Sequence, residues 1–279
     1  MASIRVVTDS GADLDPSVAK DHGIAVVALD VRLGDIGPEV TRTWSVQEFW
    51  QQCANSSSLP ETSAPSPGAF VEVFVSAIAD GCDGVVCVTL SSKLSATYQA
   101  ACAGALEVQD RIAVRVVDSL SVTMGEGILA LQAARAAQAG AGLDEIADAV
   151  TRDRDRIRVY GALDTLDNLR KGGRIGSAQA IFGSLLAIKP VIEVRDGVVE
   201  AESRQRTRSR SLEYLAGKVK DAAGVEVLAV VHAAAGDVDS FISLLADKFP
   251  PEEILVSYIG AVIGTHSGPG CIGICFKLR

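Results

Sequence analysis

The first half of the chain alternates short apolar runs with segments in which apolar residues recur at helical spacing. The apolar runs have the length of buried strands and lie at residues 4–8, 24–33, 84–90 and 113–118. Helical spacing predicts helices at residues 16–21, 45–54, 69–79, 95–109, 122–139 and 143–156. Such alternation with short connections is typical of a parallel sheet covered on both faces. We therefore predict an N-terminal parallel α/β three-layer domain at residues 1–157.

The second half of the chain has a different pattern. Asp196-Gly197 separates apolar runs at residues 188–195 and 198–203, and an Asp-Gly pair in this position is a strong hairpin signal. Further strands are predicted at residues 159–163, 225–232, 254–259 and 271–276, with helices at 165–170 and around 212–219 and 241–249. Because a hairpin requires antiparallel pairing, we predict a C-terminal mixed/antiparallel α/β domain at residues 158–279.

The amino-acid composition limits the possible classes of function and leaves the predicted fold unchanged. The 279 residues are 48% apolar and 22% charged, which is enough to form the cores of two domains. The net charge of −9 does not favour bulk nucleic-acid binding, which requires a basic surface. The N-terminus has no signal-peptide pattern, and no apolar run approaches the roughly 18 residues of a membrane span. We expect a cytoplasmic protein that binds no nucleic acid and has no integral membrane association.

Cysteine and histidine are placed without the spacing of metal ligands. The six cysteines form no CxxC pair and mostly lie in apolar runs. The three histidines form no ligand-spaced pair. We expect reduced, buried thiols and no metal site.

Polar residues collect where predicted strands end, which is where ligands bind in open parallel sheets. Residues 8–10, 91–95 and 118–119 each follow a strand. Residues 61–68 lie in a predicted loop at 55–67 and lead into a helix. Hydroxyl groups and free N–H groups at such positions suit an anion. Two Ser/Thr-rich loops of this kind favour a carboxylate or phosphate site.

Ser95 has three interpretations. It can be an ordinary N-cap, or it can donate its hydroxyl to a bound anion. It can also be the nucleophile of a serine esterase or thioesterase, with His266 as base and Asp9 or Asp118 orienting the imidazole. No G-x-S-x-G motif surrounds any serine. His266 lies in residues 265–270, predicted as a rigid turn, where a structural hydrogen bond or a neutral ligand contact is also possible.

Two basic segments are candidates for partner or phosphate binding. Residues 171–174 read Lys-Gly-Gly-Arg, which can bind phosphate through backbone amides or form a tight turn. Arg204, Arg206, Arg208 and Arg210 lie within seven residues near a predicted helix start. Cations there oppose the helix dipole, which favours docking to an acidic partner or to phosphate over a role in stability.

Five segments resemble, in order, the motifs of the DegV family, including its fatty-acid-binding FakB-type members. The segments are residues 6–10 with 12–14 (VVTDS, ADL), 62–70 (TSAPSPGAF), 91–95 with 97–99 (SSKLS, TYQ), Leu166 with 169–175 and 188–190 (LRKGGRI, IKP), and 266–270 (HSGPG). Together they extend over most of the chain, and five ordered motifs are far more specific than any one of them.

The resemblance implies a two-domain α/β fold with a ligand cleft between the domains, in which a fatty acid such as palmitate, stearate or oleate is bound. It implies a carrier without catalytic residues or cofactor, which presents the carboxyl group to a separate ATP-dependent fatty acid kinase for phospholipid synthesis. By motif, the carboxylate is held by Thr62, Ser95 and His266. The residues expected near this site are Ser63, Ser92, Asp9, Ser10 and Gly268, and those expected to dock the partner are Arg174, Arg204 and Arg206.

The sequence departs from the family pattern at three places. Ala96 and Ala100 replace a glycine and a serine, and residues 34–44 do not follow the usual pattern. If the glycine served a left-handed backbone, Ala96 would cost about 1–2 kcal/mol. We interpret position 96 instead as part of the helix, where alanine is favourable.

Overall fold

The computed structural model describes residues 3–181 and 188–279. In chain order the strands are β1 (Ile4–Asp9), β2 (Ile24–Val27), β3 (Asp30–Leu33), β4 (Pro60–Ser63), β5 (Gly84–Thr89), β6 (Ala113–Asp118), β7 (Ile157–Ala162), β8 (Lys189–Arg195), β9 (Val198–Gln205), β10 (Val225–His232), β11 (Leu255–Tyr258) and β12 (Ile272–Leu278). The α-helices are α1 (Pro16–Asp21), α2 (Pro38–Thr41), α3 (Val46–Asn55), α4 (Pro67–Ala79), α5 (Thr97–Glu107), α6 (Met124–Gln138), α7 (Leu143–Asp153), α8 (Asp167–Lys171), α9 (Arg208–Asp221), α10 (Val238–Leu245) and α11 (Ala261–Ser267).

The chain divides into two compact units. The first unit contains Ser63–Arg156 and the described residues up to Asp30, and the second contains Val31–Thr62 and Ile157–Arg279. The second unit therefore includes a segment that the sequence-based division at 157/158 assigns to the N-terminal domain. The reason is packing, because α3 lies against α11: a Cβ atom on Gly264 of α11 would approach Trp50 Cζ2 to 2.6 Å.

The first unit is built on a parallel sheet, as the alternating pattern predicts. Its strand order is β2-β1-β5-β6, with parallel pairing throughout. On one face, Val85 and Cys87 of β5 share a core with α4 and α5. On the other, a Cβ on Gly84 would lie 3.1 Å from Leu143 of α7. Helices therefore cover both faces, and the predicted three-layer arrangement is confirmed.

The second unit is built on a mixed sheet with the order β11-β10-β12-β7-β8-β9. β10 and β11 are parallel, and the other neighbours are antiparallel. The predicted hairpin is confirmed, since Asp196 (φ 49°) and Gly197 (φ 82°) connect β8 to β9 with two left-handed residues. Leu215 of α9 and Phe241 of α10 are fully buried in the core of this sheet.

Two predicted elements in the first 70 residues are wrong. The single strand at 24–33 is two strands, because β2 pairs with β1 whereas β3 pairs with β4. Between them the backbone N–H of Leu29 donates to Ser10 Oγ at 2.9 Å. The predicted loop at 55–67 contains β4, whose polar sequence PETS carries no apolar alternation to reveal it.

Candidate functional site

Thr62 and His266 form the best-defined polar pair among the candidate residues. Thr62 Oγ1 of β4 lies 2.9 Å from His266 Nε2, at hydrogen-bond distance, although the residues are 204 positions apart. Both side chains are partly buried. Both belong to the second unit, so the pair is described within one compact body.

His266 lies in the last turn of α11, not in the predicted turn at 265–270. The segment AVIGTHS is rich in β-branched residues and contains glycine, so its intrinsic helix propensity is low. The helix is held by tertiary contacts instead, since Trp50 packs on Gly264 and Asn168 Nδ2 donates to the Thr265 carbonyl at 3.0 Å. Gly268 (φ 76°) then ends the helix, in a conformation that favours glycine.

The imidazole ring is pressed against the backbone of the Gly-Gly segment. A Cβ on Gly172 would lie 2.4 Å from His266 Nδ1, so no larger residue fits while the ring keeps this position. Nδ1 is buried and has no hydrogen-bond partner among the described residues. The position of the imidazole ring therefore requires glycine at residue 172. The glycine-rich motif alone does not show this requirement.

Burial lowers the pKa of His266 to about 4, and the positive charge of Arg174 contributes in the same direction. The imidazole is neutral at neutral pH as a result, and it offers one N–H donor and one acceptor nitrogen. Arg174 itself donates to the Gly172 carbonyl at 2.6 Å. A hydroxyl, a neutral imidazole and a nearby guanidinium form a neighbourhood that suits an anionic oxygen acceptor.

Ser95 lies in the first unit and does not cap α5. The N-cap is Ala96, with no side-chain cap bond in the described structure. Ser95 Oγ is instead 2.9 Å from Thr97 Oγ1. Ala96 has φ −78° and ψ 8°, so the backbone there is not left-handed and alanine carries no left-handed strain.

The other candidate residues of the first unit mainly organise loops. The buried Asp9 carboxylate accepts from the backbone N–H groups of Gly11 (2.8 Å) and Leu90 (2.9 Å). The backbone N–H of Ser92 donates to Asp118 Oδ1 at 3.1 Å. Ser10, as described above, bonds to Leu29. Their direct part in ligand binding stays a prediction, as it does for Ser63, which is exposed.

The arrangement of a catalytic triad is not present among the described residues. His266 Nδ1 has no carboxylate partner there, although a triad requires one to orient the imidazole. The two candidate orienting residues, Asp9 and Asp118, accept backbone N–H groups.

The predicted arginine cluster separates into two pairs with different roles. Arg208 donates twice to Asp237, at 2.9 and 3.0 Å, and Arg210 bonds to Glu213 at 3.0 Å. These two arginines lie in the first turn of α9, where acidic partners offset their charge. Arg204 and Arg206 are exposed. Arg210 is exposed as well and only Arg208 is partly buried, so the docking role of Arg204 and Arg206 stays a prediction.

Sequence reasoning missed several residues that build the site. Asn168, Gly172 and Trp50 position His266, and Glu126 of α6 contacts the Asp9 loop through Thr8 Oγ1 at 2.7 Å. The available sequence signal for Glu126 was a single acidic residue within the largely apolar segment 124–134. Within residues 3–181 and 188–279, no helix is long and apolar enough to cross a membrane, and no cluster of three or more His, Cys, Asp or Glu could hold a metal ion.

Fold and site together define a two-unit α/β protein with a Thr–His pair suited to an anion. The model of a family described as "Uncharacterised protein, DegV family" matches residues 3–279. A DegV domain-containing protein of Streptomyces coelicolor is 39% identical over 99% of each chain. The fatty-acid-binding DegV family protein of Thermus thermophilus superposes with a TM-score of 0.88 at 32% identity, over 99% of this chain and all of its own. DegV of Bacillus subtilis, described as a fatty acid binding protein, gives 0.87 and 32% over the full length of both chains. The chain belongs to the DegV family.

Proposed function

We propose that this protein is a carrier that binds one long-chain fatty acid and presents its carboxylate to a separate ATP-dependent fatty acid kinase, which forms the acyl-phosphate. The observation that carries the proposal is the Thr62–His266 pair. Membership of the DegV family and two 32%-identical structures described as fatty-acid-binding support the ligand class. The proposed carrier performs no chemistry itself. Because the kinase consumes ATP, the proposal places the exchange in the cytoplasm.

The chemistry of the head group matches that of the site. An ionised carboxylate only accepts hydrogen bonds, so it needs hydroxyl and N–H donors. Thr62, His266 and Ser95 are the three residues that we assign to it. Thr62 and the neutral imidazole have two hydrogens between them, and their mutual bond uses one. Because Nδ1 is buried against Gly172, we assign the N–H to Nε2, which donates to Thr62 Oγ1 and leaves the Thr62 hydroxyl to donate to the carboxylate. Bonds to an ionised acceptor contribute about 1.5–3 kcal/mol each.

The acyl tail supplies the larger part of the affinity. Each buried CH₂ group contributes about 0.8 kcal/mol, so a chain of the palmitate, stearate or oleate class has ample driving force. The tail gives little orientation, because apolar contacts are not directional. Orientation of the carboxyl group for a kinase therefore depends on the polar residues.

Native mass spectrometry of the purified protein, followed by lipid extraction and rebinding of palmitate and oleate, tests the carrier function. A stoichiometric fatty-acid adduct is expected. Thr62→Val removes the hydroxyl at nearly constant shape and should weaken binding about tenfold or more. Thr62→Ser keeps the hydroxyl, and Thr43→Val changes a hydroxyl that bonds only to its own turn, so both should bind normally. A delipidated protein that rebinds no fatty acid would reject the proposal.

The presentation step and the hydrolase alternative need separate measurements. Arg206→Ala should lower the rate of acyl-phosphate formation by a fatty acid kinase without changing fatty-acid affinity, while Arg210→Ala, whose cation pairs with Glu213, serves as control. Equal rates in both variants would place the docking surface elsewhere.

Covalent labelling of Ser95 by a fluorophosphonate would favour the esterase instead.

A further inference from the structure

Glu126 is an acidic residue buried in an otherwise apolar part of α6, and the proposed function leaves it without a role. Its side chain has no solvent exposure. Oε1 accepts the hydroxyl of Thr8 at 2.7 Å, and the side chain also bonds with the backbone N–H and the carboxyl group of Asp9. Oε2 is buried and receives no ordinary donor among the described residues.

Two buried carboxyl groups in contact retain a proton, because desolvation and mutual repulsion both oppose ionisation of the pair. Burial raises the pKa of Asp9, and burial together with the charge of Asp9 raises that of Glu126. Asp13, in the turn after β1, adds to this effect on Glu126. Burial raises the pKa of the Cys87 thiol of β5, and the charges of Asp9 and Glu126 act in the same direction.

This carboxyl pair is bonded to the loop that carries Ser95. The other contacts of Asp9 are the backbone N–H groups of Gly11 and Leu90. Leu90 is directly followed by Ser91, whose N–H donates to the Ser121 carbonyl at 2.8 Å and whose carbonyl accepts from Ser95 N–H at 3.1 Å. Hydrogen bonds and the Leu90–Ser91 peptide bond thus connect Glu126 to the loop at residues 91–95.

We propose that Glu126 is a positioning residue for head-group binding, which fixes the loop at residues 91–95 through the proton that it shares with Asp9. The inference rests on the proposed function, since Ser95 is one of the assigned carboxylate ligands. Glu126 does not touch the ligand in this scheme. Loss of the shared proton leaves two adjacent negative charges, which loosens the Asp9–Leu90 connection and misplaces the Ser95 hydroxyl.

The test compares the wild type with Glu126→Gln and Glu126→Ala. Glutamine can accept from Thr8 and donate to Asp9 without a titratable proton, whereas alanine can do neither. Palmitate Kd is measured between about pH 6 and about pH 9, where the fatty acid is ionised throughout and, with its pKa at about 4, His266 is neutral throughout. Amide protection factors of residues 90–95 are measured on the ligand-free proteins. Glu193→Gln, a buried glutamate of the second unit, is the matched control.

The expected results differ in kind from those of a purely structural residue. The palmitate Kd of the wild type should rise about tenfold towards the alkaline end of the pH range, whereas that of Glu126→Gln should not change with pH. Glu126→Ala should bind palmitate weakly at every pH and show lowered amide protection factors at residues 90–95. If Glu126→Ala does not fold, the pH profiles of wild type and Glu126→Gln still decide. Identical profiles and identical protection factors in these two proteins would overturn the inference.

Failure of the proposed function gives a distinguishable result. A wild type that binds no palmitate at any pH rejects the carrier assignment. The protection factors of the ligand-free proteins then still report on the loop: a pH-dependent loss in wild type that is absent in Glu126→Gln supports the connection from Glu126 to residues 90–95. If the wild type shows no such pH-dependent loss of protection, the connection from Glu126 to residues 90–95 is overturned as well.

Discussion

The Thr62–His266 pair and the Asp9 loop both consist of residues from the family motifs, yet they use polar groups in opposite ways. At the pair, the Thr62 hydroxyl and the imidazole N–H supply two hydrogens and their mutual bond uses one, so one remains to be donated to a ligand. At the loop, both oxygens of Asp9 accept backbone N–H groups. The first arrangement leaves a donor for a ligand, and the second fixes the backbone.

The difference shows that a motif residue can either bind the ligand or fix the backbone that carries the ligand-binding residues. A short polar motif at a strand end is compatible with both roles. The two roles give different experimental signatures, because a backbone-fixing residue changes the free energy of unfolding, whereas a ligand residue changes affinity. Substitutions in the two regions should therefore separate stability from binding.

The largest expected effect is on stability, at Asp9. Asp9→Ala leaves two N–H donors, those of Gly11 and Leu90, without their buried acceptor, at a cost of about 1–3 kcal/mol each. Urea unfolding should show a loss of several kcal/mol in the free energy of unfolding, and Asp9→Asn should lose less because it keeps one acceptor oxygen. Thr62→Val, the matched change at the pair, should leave stability nearly unchanged. A larger loss of the free energy of unfolding in Thr62→Val than in Asp9→Ala would contradict the assignment of Asp9 to the fold and Thr62 to the ligand.

The next effect is on affinity, at Gly172. Gly172→Ala places a Cβ 2.4 Å from His266 Nδ1, so the ring must leave its position beside Thr62. Gly172 has φ −75°, which alanine adopts without strain, so the backbone itself should tolerate the change. Fatty-acid binding, measured by calorimetry, should weaken about 10- to 100-fold, which corresponds to one lost bond to a charged group.

Gly217→Ala is the control for this substitution. Gly217 lies in α9, and no atom of the described residues outside the backbone of its own helix lies within 4 Å of the Cβ that would be added. Helix propensity then favours alanine by about 1 kcal/mol, without any effect on binding. Unchanged affinity in Gly172→Ala would show that the position of the imidazole does not matter for the ligand.

Local patterns were enough to predict much of the fold. α1 and β6 match their predicted bounds, because a proline start and a short apolar run are local signals. Ser45 caps α3 with Glu48 in a capping box. By contrast, β4 has a polar sequence and α11 has weak helix formers, so each is set by partners distant in the chain.

The candidate site likewise combines features that local sequence predicts with features that depend on residues distant in the chain. Family motifs pointed to Thr62 and His266, and the structure brings them together. Their contact joins residues 204 positions apart, and spacing alone could not have given it. Glu126 was missed because a single acid in an apolar helix looks like a solvent-facing residue until its burial is known. Roles that depend on burial, such as the shared proton, are not readable from residue type.

A smaller effect is expected in the pH dependence of stability. The folded protein keeps a proton on the Asp9–Glu126 pair that the unfolded chain gives up near the ordinary carboxyl pKa values of 3.8 and 4.5. Between those values and the raised pKa values of the folded state, folding binds protons, so the free energy of unfolding falls as pH rises. Each proton contributes a slope of at most about 1.4 kcal/mol per pH unit. Denaturation from about pH 5 to about pH 8 should show a shallower slope in Glu126→Gln, while an equal slope would mean that Glu126 is ionised in the folded protein.

The smallest effect is expected at Ala96, where the family pattern has glycine. A left-handed backbone there would make Ala96→Gly stabilising by about 1–2 kcal/mol. The observed φ of −78° removes that reason. Residue 96 is the N-cap of α5, where the preference for glycine over alanine is opposed by the larger entropy that glycine loses on folding. We therefore expect a change in the free energy of unfolding within about 0.5 kcal/mol, with no change in fatty-acid affinity. A gain above about 1 kcal/mol in urea unfolding would show that the loop before α5 is strained in the native protein, and the departure from the family pattern would then have a cost that the backbone angles do not reveal.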